Sequence, residues 1–243
     1  MTRLFRMLLG FVLACILMAG GCLAASAEEP ADVLATEEEV LAYTGLTADD
    51  IPGVDIRALI ERLQLTAAQL AQMDPGGLRY ALLSQADVPG NSCEYLLYPD
   101  EEATVPWGAV DVSRIRRIAV VSSNDALTPS LMIDLEAGAG YYANTCFFHN
   151  IACATRVTEL TGDMRTAIID AIAKADIGSW EASYTDTPET VEQYGDFYPE
   201  CAGNWLIAFE TADGILQYYV YGVETDAPQA FFDLGVFLYQ MFW

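Results

Sequence analysis

The spacing of apolar residues changes once along this chain, near residue 90, and this change constrains the fold more than any other feature. Before it, apolar residues recur with the period of an α-helix, as in the run from Ile56 to Leu63. After it, short β-rich runs alternate with turn residues. We therefore expect a helical N-terminal subdomain over 28–90 and an α+β domain over 91–243.

The clearest element of the α+β domain is a hairpin from Trp205 to Tyr221. Its Asp213-Gly214 pair fits the positive φ angles of a type I′ turn. Further strands are predicted over 115–122, 131–137, 141–148 and 180–184. Helices are predicted over 164–175, after a cap formed by Thr161-Gly162-Asp163, and over the last residues of the chain. This order predicts an antiparallel sheet with helices packed on one face.

An internal repeat links two of these segments. Residues 131–140 align without gaps on residues 205–214, with identities at Ile133/Ile207, Glu136/Glu210 and Gly140/Gly214. Each segment precedes a helix, which fits a β-hairpin–helix duplication. General similarity between antiparallel hairpins explains the same match without duplication.

The first 27 residues have the pattern of a secretory signal peptide. Arg3 and Arg6 precede an apolar run over 7–18, and Ala25-Ser26-Ala27 is an A-x-A cleavage site. An uncleaved anchor and a lipid on Cys22, which follows small residues as in bacterial lipoproteins, are the alternatives. All three routes place the folded part outside the cytoplasm, in the medium or at the cell surface.

Four cysteines remain beyond the leader, and an oxidising compartment would pair them. Three connectivities are open for Cys93, Cys146, Cys153 and Cys201. The short spacing of Cys146 and Cys153 favours a local bridge, which leaves Cys93–Cys201 to join distant segments. The longer bridge would stabilise the fold more, by about 3–5 kcal/mol, because it removes more entropy from the unfolded chain.

Acidic residues outnumber basic ones by a wide margin. The chain has 35 Asp and Glu against 11 Lys and Arg, and its net charge is −24. Such a protein is repelled by phosphate backbones and by anionic lipid. Nucleic-acid binding is therefore excluded, and membrane contact is expected only through the leader or a lipid on Cys22. The hydrophobic share of 53% excludes a mostly disordered chain.

Two segments resemble parts of exported proteins from Gram-positive gut bacteria. The first is the helical segment from Tyr43 to Asp55. The second is similar to the W…Y…W-x-I…DG…G…P…F pattern of uncharacterised secreted proteins and lipoproteins. The residues that carry the second pattern here are Trp180, Tyr184, Trp205, Ile207, Asp213, Gly214, Gly222, Pro228 and Phe231. The resemblance implies a compact extracellular α+β domain and brings no catalytic residue.

Nucleophile–base catalysis has little support in the sequence. His149 is the only histidine, and no serine lies in a G-x-S-x-G motif. The spacing Cys146-x2-His149-x3-Cys153 is like that of metal ligands. However, structural zinc sites take four ligands, and thiolates outside the cytoplasm tend to oxidise. We therefore predict no catalytic residue, no metal and no cofactor.

Clustered carboxylates suggest an extracellular hydrolase as the alternative function. Glycoside hydrolysis needs two carboxyl groups about 5–10 Å apart in a cleft. The acids that lie among aromatic residues in the 181–200 region are Glu181, Asp186, Glu189, Glu192, Asp196 and Glu200. An acidic solvated loop explains the same pattern without any activity.

The predicted C-terminal helix is apolar on nearly every side. One face should lie on the sheet, and the other is either buried or contacts a partner or a second copy. Aromatic residues on this helix and in the preceding segments form a candidate binding surface, namely Trp180, Tyr184, Phe232, Tyr239 and Trp243.

These features favour an exported, acidic, disulfide-bonded binding module that is not an enzyme. Its expected ligand is a protein or a carbohydrate. The hydrolase is the alternative, and a third reading is an inhibitor of an extracellular enzyme that uses loop 146–153.

Overall fold

The structure is a computed structural model that describes residues 33–86, 88, 90–104, 111–123, 128–148, 150–197 and 202–242. Close contacts divide the chain into two compact units, Met1–Pro89 and Gly90–Trp243. The predicted leader with Cys22 lies outside the described residues, as do His149, Glu200, Cys201 and Trp243.

The described part of the first unit is helical, and its helix starts follow from side-chain caps. Thr36 and Glu39 form a capping box, as do Thr66 and Gln69, and Asp74 caps a helix that opens with Pro75. The side chains that face its core are aliphatic, as in Val40, Leu59 and Leu82. The helices are α1 (Glu37–Thr44), α2 (Ile56–Leu63), α3 (Ala67–Leu70) and α4 (Pro75–Leu83).

The second unit is built on a seven-stranded sheet. In chain order the strands are β1 (Ile115–Ser123), β2 (Ser130–Asp134), β3 (Ala139–Ala143), β4 (Arg156–Glu159), β5 (Ser183–Thr185), β6 (Gly203–Thr211) and β7 (Gly214–Gly222). Their order in the sheet is β4-β3-β2-β1-β6-β7-β5, and every pairing is antiparallel except β5 with β7. The parallel pair is possible because the connection from β5 to β7 is long and contains both a helix and the strand β6.

Two long helices of this unit, α5 (Gly162–Ala175) and α7 (Gln229–Phe242), pack on one face of the sheet. Ile168 and Ile172 of α5 lie in one core with Phe231 of α7 and with Ile118 and Val120 of β1. A shorter helix, α6 (Pro188–Tyr194), lies between β5 and β6 in the chain. The predicted fold class, α+β with helices on one face of an antiparallel sheet after a helical part, is therefore confirmed.

The other face of the sheet, here called the outer face, is covered by loops and short 3₁₀ turns such as Glu94–Leu96, which the sequence did not predict. The Gln217 side-chain amide donates to the Leu96 carbonyl at 2.6 Å, and Cys93 N–H donates to the Phe148 carbonyl at 2.7 Å. Leu96 and Phe148 are buried, and all five residues of β2 are buried as well. The central strands are therefore covered on both sides.

The β6–β7 hairpin turns one residue earlier than predicted. Thr211 pairs with Gly214, so Ala212 and Asp213 form the turn. Neither of these two residues has a positive φ, and the φ of Gly214, the first residue of β7, is 144°. The Asp213 N–H donates to the Thr211 hydroxyl at 3.2 Å, and this hydroxyl donates to the Gly214 carbonyl at 3.0 Å. The type I′ prediction was wrong because the threonine side chain stabilises a different turn.

The duplication stays a prediction. β2 and β3 are joined by the four residues between Asp134 and Ala139, whereas β6 and β7 are joined by two. As a result, Gly140 pairs with Ile133 but its aligned counterpart Gly214 pairs with Thr211.

Within the described ranges no helix is both long and apolar enough to cross a membrane.

Candidate functional site

The inner face of α7 lies on the sheet as its apolar period predicts. Phe231, Leu234, Leu238 and Phe242 are buried in the same core as the strands. Two glycines allow the close approach, because a Cβ on Gly140 of β3 would overlap the Phe242 ring, and a Cβ on Gly235 would meet the Trp205 ring. The position of α7 is therefore fixed by aromatic rings seated on glycines.

A chain of aromatic rings continues from this interface towards the outer side of α7. The ring centroids of Tyr142 and Tyr239 lie 6.2 Å apart, those of Tyr239 and Trp205 5.9 Å, and those of Trp205 and Phe232 6.2 Å. All three pairs meet edge to face, the arrangement that the ring quadrupoles favour. These contacts hold the outer residues of the helix in fixed positions.

Tyr239 links α7 to the sheet through its hydroxyl group. The hydroxyl oxygen lies 2.7 Å from the Pro129 carbonyl and 3.1 Å from the Val120 carbonyl, within donating distance of both. Burial of the side chain raises its pKa well above the usual range, although hydrogen bonding with Ser122 lowers it in part. Tyr239 therefore remains neutral at ordinary pH and keeps the helix in place.

An open depression of about 500 Å³ lies beside this tyrosine. One turn of α7 forms one wall through Val236, Tyr239 and Gln240, and Pro129 and Tyr142 form the other. Val236 is 42% exposed there. The volume is in the range of about 300–1,000 Å³ that small ligands and inserted side chains occupy. The lining is mostly apolar, so an apolar group is the occupant that fits it.

The aromatic residues that were predicted to form a binding surface do not all lie at the surface. Trp180 is only 4% exposed and packs against Phe231 and Tyr218 in the core. Tyr184 is half-buried, and its hydroxyl accepts a hydrogen bond from the Glu181 N–H at 2.7 Å. Phe232 and Tyr239 are brought together through Trp205. Trp243 lies outside the described residues.

The acids proposed for a hydrolase do not line the depression. Asp186 holds the loop after β7, because its carboxylate accepts from Val223 N–H at 2.6 Å and from Glu224 N–H at 3.0 Å. Glu181, Glu189, Glu192 and Asp196 are exposed. Glu200 lies outside the described residues, and the hydrolase hypothesis stays a prediction.

Three of the four cysteines predicted to form disulfides are among the described residues. Cys93 and Cys153 are buried, and Cys146 is partly exposed. Burial raises the pKa of the Cys93 thiol to about 12, with Cys146 contributing, and burial also raises the pKa of Cys146. Cys201 lies outside the described residues, so the predicted pairings stay predictions.

The Cys146-x2-His149-x3-Cys153 motif is only partly described, because His149 lies outside the described residues. In the part of the chain that the structure covers, no group of three Cys, His, Asp or Glu side chains could hold a metal ion. The structure therefore adds no ligand to the two cysteines of this motif.

A polar network on the outer face was missed from the sequence. Arg117 of β1 donates to Asp134 of β2 at 2.8 Å and to the Tyr95 hydroxyl at 2.7 Å, and this hydroxyl donates to Glu210 of β6 at 2.7 Å. Burial raises the pKa of Tyr95 to about 12, helped by its hydrogen bond to Glu210. A signal was present, since Arg117 directly precedes the apolar run Ile118–Val121 and Glu210 directly follows the apolar run Trp205–Phe209.

Comparison with protein-family models, with curated proteins and with solved structures finds no match to this chain. Residue roles therefore rest on the geometry and charge of the described residues. The depression on α7, with its mostly apolar lining, is the candidate site.

Proposed function

We propose that this protein is an exported binding module, not an enzyme, and that the depression on α7 receives an apolar group of a basic protein ligand. The observation that carries the proposal is the depression itself, lined by Pro129, Tyr142, Val236, Tyr239 and Gln240. It combines an exposed valine with aromatic walls in fixed positions. Fixed walls favour binding because little side-chain entropy is lost when a ligand is seated.

The side chains of the depression suit contact better than chemistry. The Tyr142 hydroxyl donates to the Asn144 side chain at 2.6 Å, and the Tyr239 hydroxyl is held at backbone carbonyls. Gln240 adds an amide that can donate and accept hydrogen bonds. Such a lining orients a bound group and supplies neither a nucleophile nor a general base.

The charge of the protein supports a basic ligand. The second unit, Gly90–Trp243, contains 23 Asp and Glu residues against six Lys and Arg residues. A field of this sign attracts cationic partners and repels anionic ones, which speeds the encounter and limits the choice of ligand. A protein with Lys or Arg beside an exposed apolar side chain therefore fits both features.

The proposal that the module works outside the cytoplasm depends on export of the protein. It is supported by the positively charged and apolar leader sequence and by the A-x-A motif that ends at Ala27. A signal of this kind delivers the folded part to the medium or to the cell surface.

The proposal is tested by selecting displayed random dodecapeptides on the wild-type protein and measuring the selected peptides by fluorescence anisotropy. We expect the selected peptides to combine basic and apolar residues. Val236→Asp should weaken their binding at least about tenfold, equivalent to 1.4 kcal/mol, because it places a charge in the apolar wall.

Val191→Asp is the matched control, because Val191 is also a helix residue and is 38% exposed. It should leave binding unchanged. Selection of neutral or acidic peptides, or equal binding by wild type and Val236→Asp, would refute the proposed site.

A further inference from the structure

The residue Phe148 connects the environments of two cysteines. Cys93 N–H donates to the Phe148 carbonyl at 2.7 Å. On the other side of the same residue, the Phe148 N–H lies close enough to the Cys146 sulfur to hydrogen-bond it. The backbone of Phe148 therefore contacts the backbone of Cys93 through its carbonyl and the sulfur of Cys146 through its N–H.

A second hydrogen bond fixes the local direction of the chain. Ile151 N–H donates to the Asn91 carbonyl at 3.0 Å, so the chain at Asn91 and Cys93 is antiparallel to the chain at Phe148 and Ile151. The chain turns at Cys93 into a short 3₁₀ helix, Glu94–Leu96. Phe148, which is two residues after Cys146, therefore lies against the residue at which this turn begins.

The electrostatic interactions of the two thiols agree with this placement. The Cys146 thiolate acts on Cys93, and the carboxylate of Glu94 acts on both thiols. These effects agree with the backbone hydrogen bond between Cys93 and Phe148, since charges act most strongly on nearby groups. That hydrogen bond is the observation that brings the backbone of Cys93 within two residues of Cys146.

We propose that Cys93 and Cys146 form a disulfide bond, in place of the pairs Cys93–Cys201 and Cys146–Cys153 that the sequence spacing favours. The bond would tie the segment that covers the outer face of the sheet to the chain that follows β3. It would enclose β1, β2 and β3 in one covalent loop.

The reaction is an ordinary thiol–disulfide exchange. Cys146 is the more exposed thiol, so its thiolate attacks a disulfide such as glutathione disulfide, forming a mixed disulfide and releasing one glutathione thiolate. The Cys93 thiol then loses its proton and attacks the Cys146 sulfur, which releases the second glutathione. The two cysteines are oxidised by two electrons, and one glutathione disulfide is reduced to two thiols.

Export would supply an oxidising compartment, but the pairing itself can be tested without it. The protein is reduced in its native state, freed of reductant, equilibrated with glutathione disulfide, alkylated and digested without reduction. We expect a linked peptide pair that contains Cys93 and Cys146. Linked pairs that join Cys146 to Cys153 or Cys93 to Cys201, or unchanged thiols, would overturn the inference.

Two single variants test the order of the steps and keep the result independent of folding yield. Cys93→Ser should accumulate glutathione on Cys146, because the resolving thiol is absent. Cys146→Ser should leave Cys93 unmodified under the same conditions. Glutathione on Cys93 in Cys146→Ser at the rate seen for Cys146 would contradict the proposed order, and circular dichroism confirms that each variant is folded.

Discussion

Gly235 of α7 lies directly against the indole of Trp205, where a Cβ atom would stand 2.6 Å from the Cζ3 atom of the ring. A glycine within a helix is unfavourable by about 1 kcal/mol relative to alanine. The close approach explains its presence, since it lets the helix rest on the ring. The same contact holds Val236 in the wall of the depression.

Gly235→Ala should therefore destabilise the protein, by about 1–3 kcal/mol, because overpacking of the ring outweighs the gain in helix propensity. Chemical denaturation measures this free energy. Gly162→Ala is the matched control, because a Cβ at this helical glycine meets nothing within 4 Å. A neutral or stabilising effect of Gly235→Ala would contradict the described seat of α7.

Arg117→Met should lower the free energy of unfolding by about 2 kcal/mol. It removes the partner of Asp134, whose side chain is only 9% exposed. The expected loss is below that for a fully buried pair because the Arg117 side chain is 35% exposed. The control Arg57→Met breaks an exposed pair with Glu61 and should change stability by less than about 0.5 kcal/mol.

Alkaline pH should destabilise the protein through its tyrosines. Burial raises the pKa of Tyr95 from 10.0 to about 12 and raises that of Tyr239 further. Above pH 10 the unfolded chain binds fewer protons at these groups than the folded chain does. The contribution of these two tyrosines to the free energy of unfolding is therefore fully present below pH 10 and falls as the pH rises towards 12.

Denaturant titrations at several pH values, with tyrosine ionisation followed by absorbance, measure this effect. Tyr95→Phe should show a shallower decline between pH 10 and 12 than the wild type. Equal slopes for the two proteins would contradict the assigned role of Tyr95.

The intact mass of the native protein reports how it is processed. Cleavage after Ala27 predicts a chain that begins at Glu28 and is recovered from the medium. A mass that includes lipid on Cys22 would instead indicate a surface lipoprotein. A full-length chain confined to the cytoplasm would contradict export.

The sequence predicted the elements that depend on periodic apolar residues. The inner face of α7, the helix α2 and the helix α5 are examples. The cover over the outer face of the sheet, formed by residues 91–104 and by the loop around Phe148, was not predictable. It consists of irregular chain whose contacts join residues far apart in sequence, so no local period marks it.

The candidate site was likewise predictable from the sequence only in part. Apolar composition identified the outer side of α7, and Phe232 and Tyr239 were named from it. The burial of Trp180 and Tyr239 depends on rings from other elements, among them Phe231, Trp205 and Tyr142. The depression depends on where Pro129 and Tyr142 lie relative to the helix, which only the folded chain shows.

The most direct test of the binding site is a titration of protein carrying ¹³C-labelled valine methyl groups with benzylammonium chloride, followed by NMR. The account predicts saturable shifts of the Val236 methyl signals with a Kd of about 1 mM, and weaker binding of benzoate because the protein is anionic. Val191 serves as the internal control and should not shift. Val236 signals that stay in place while benzylammonium is added, or that respond equally to benzoate, would contradict the account.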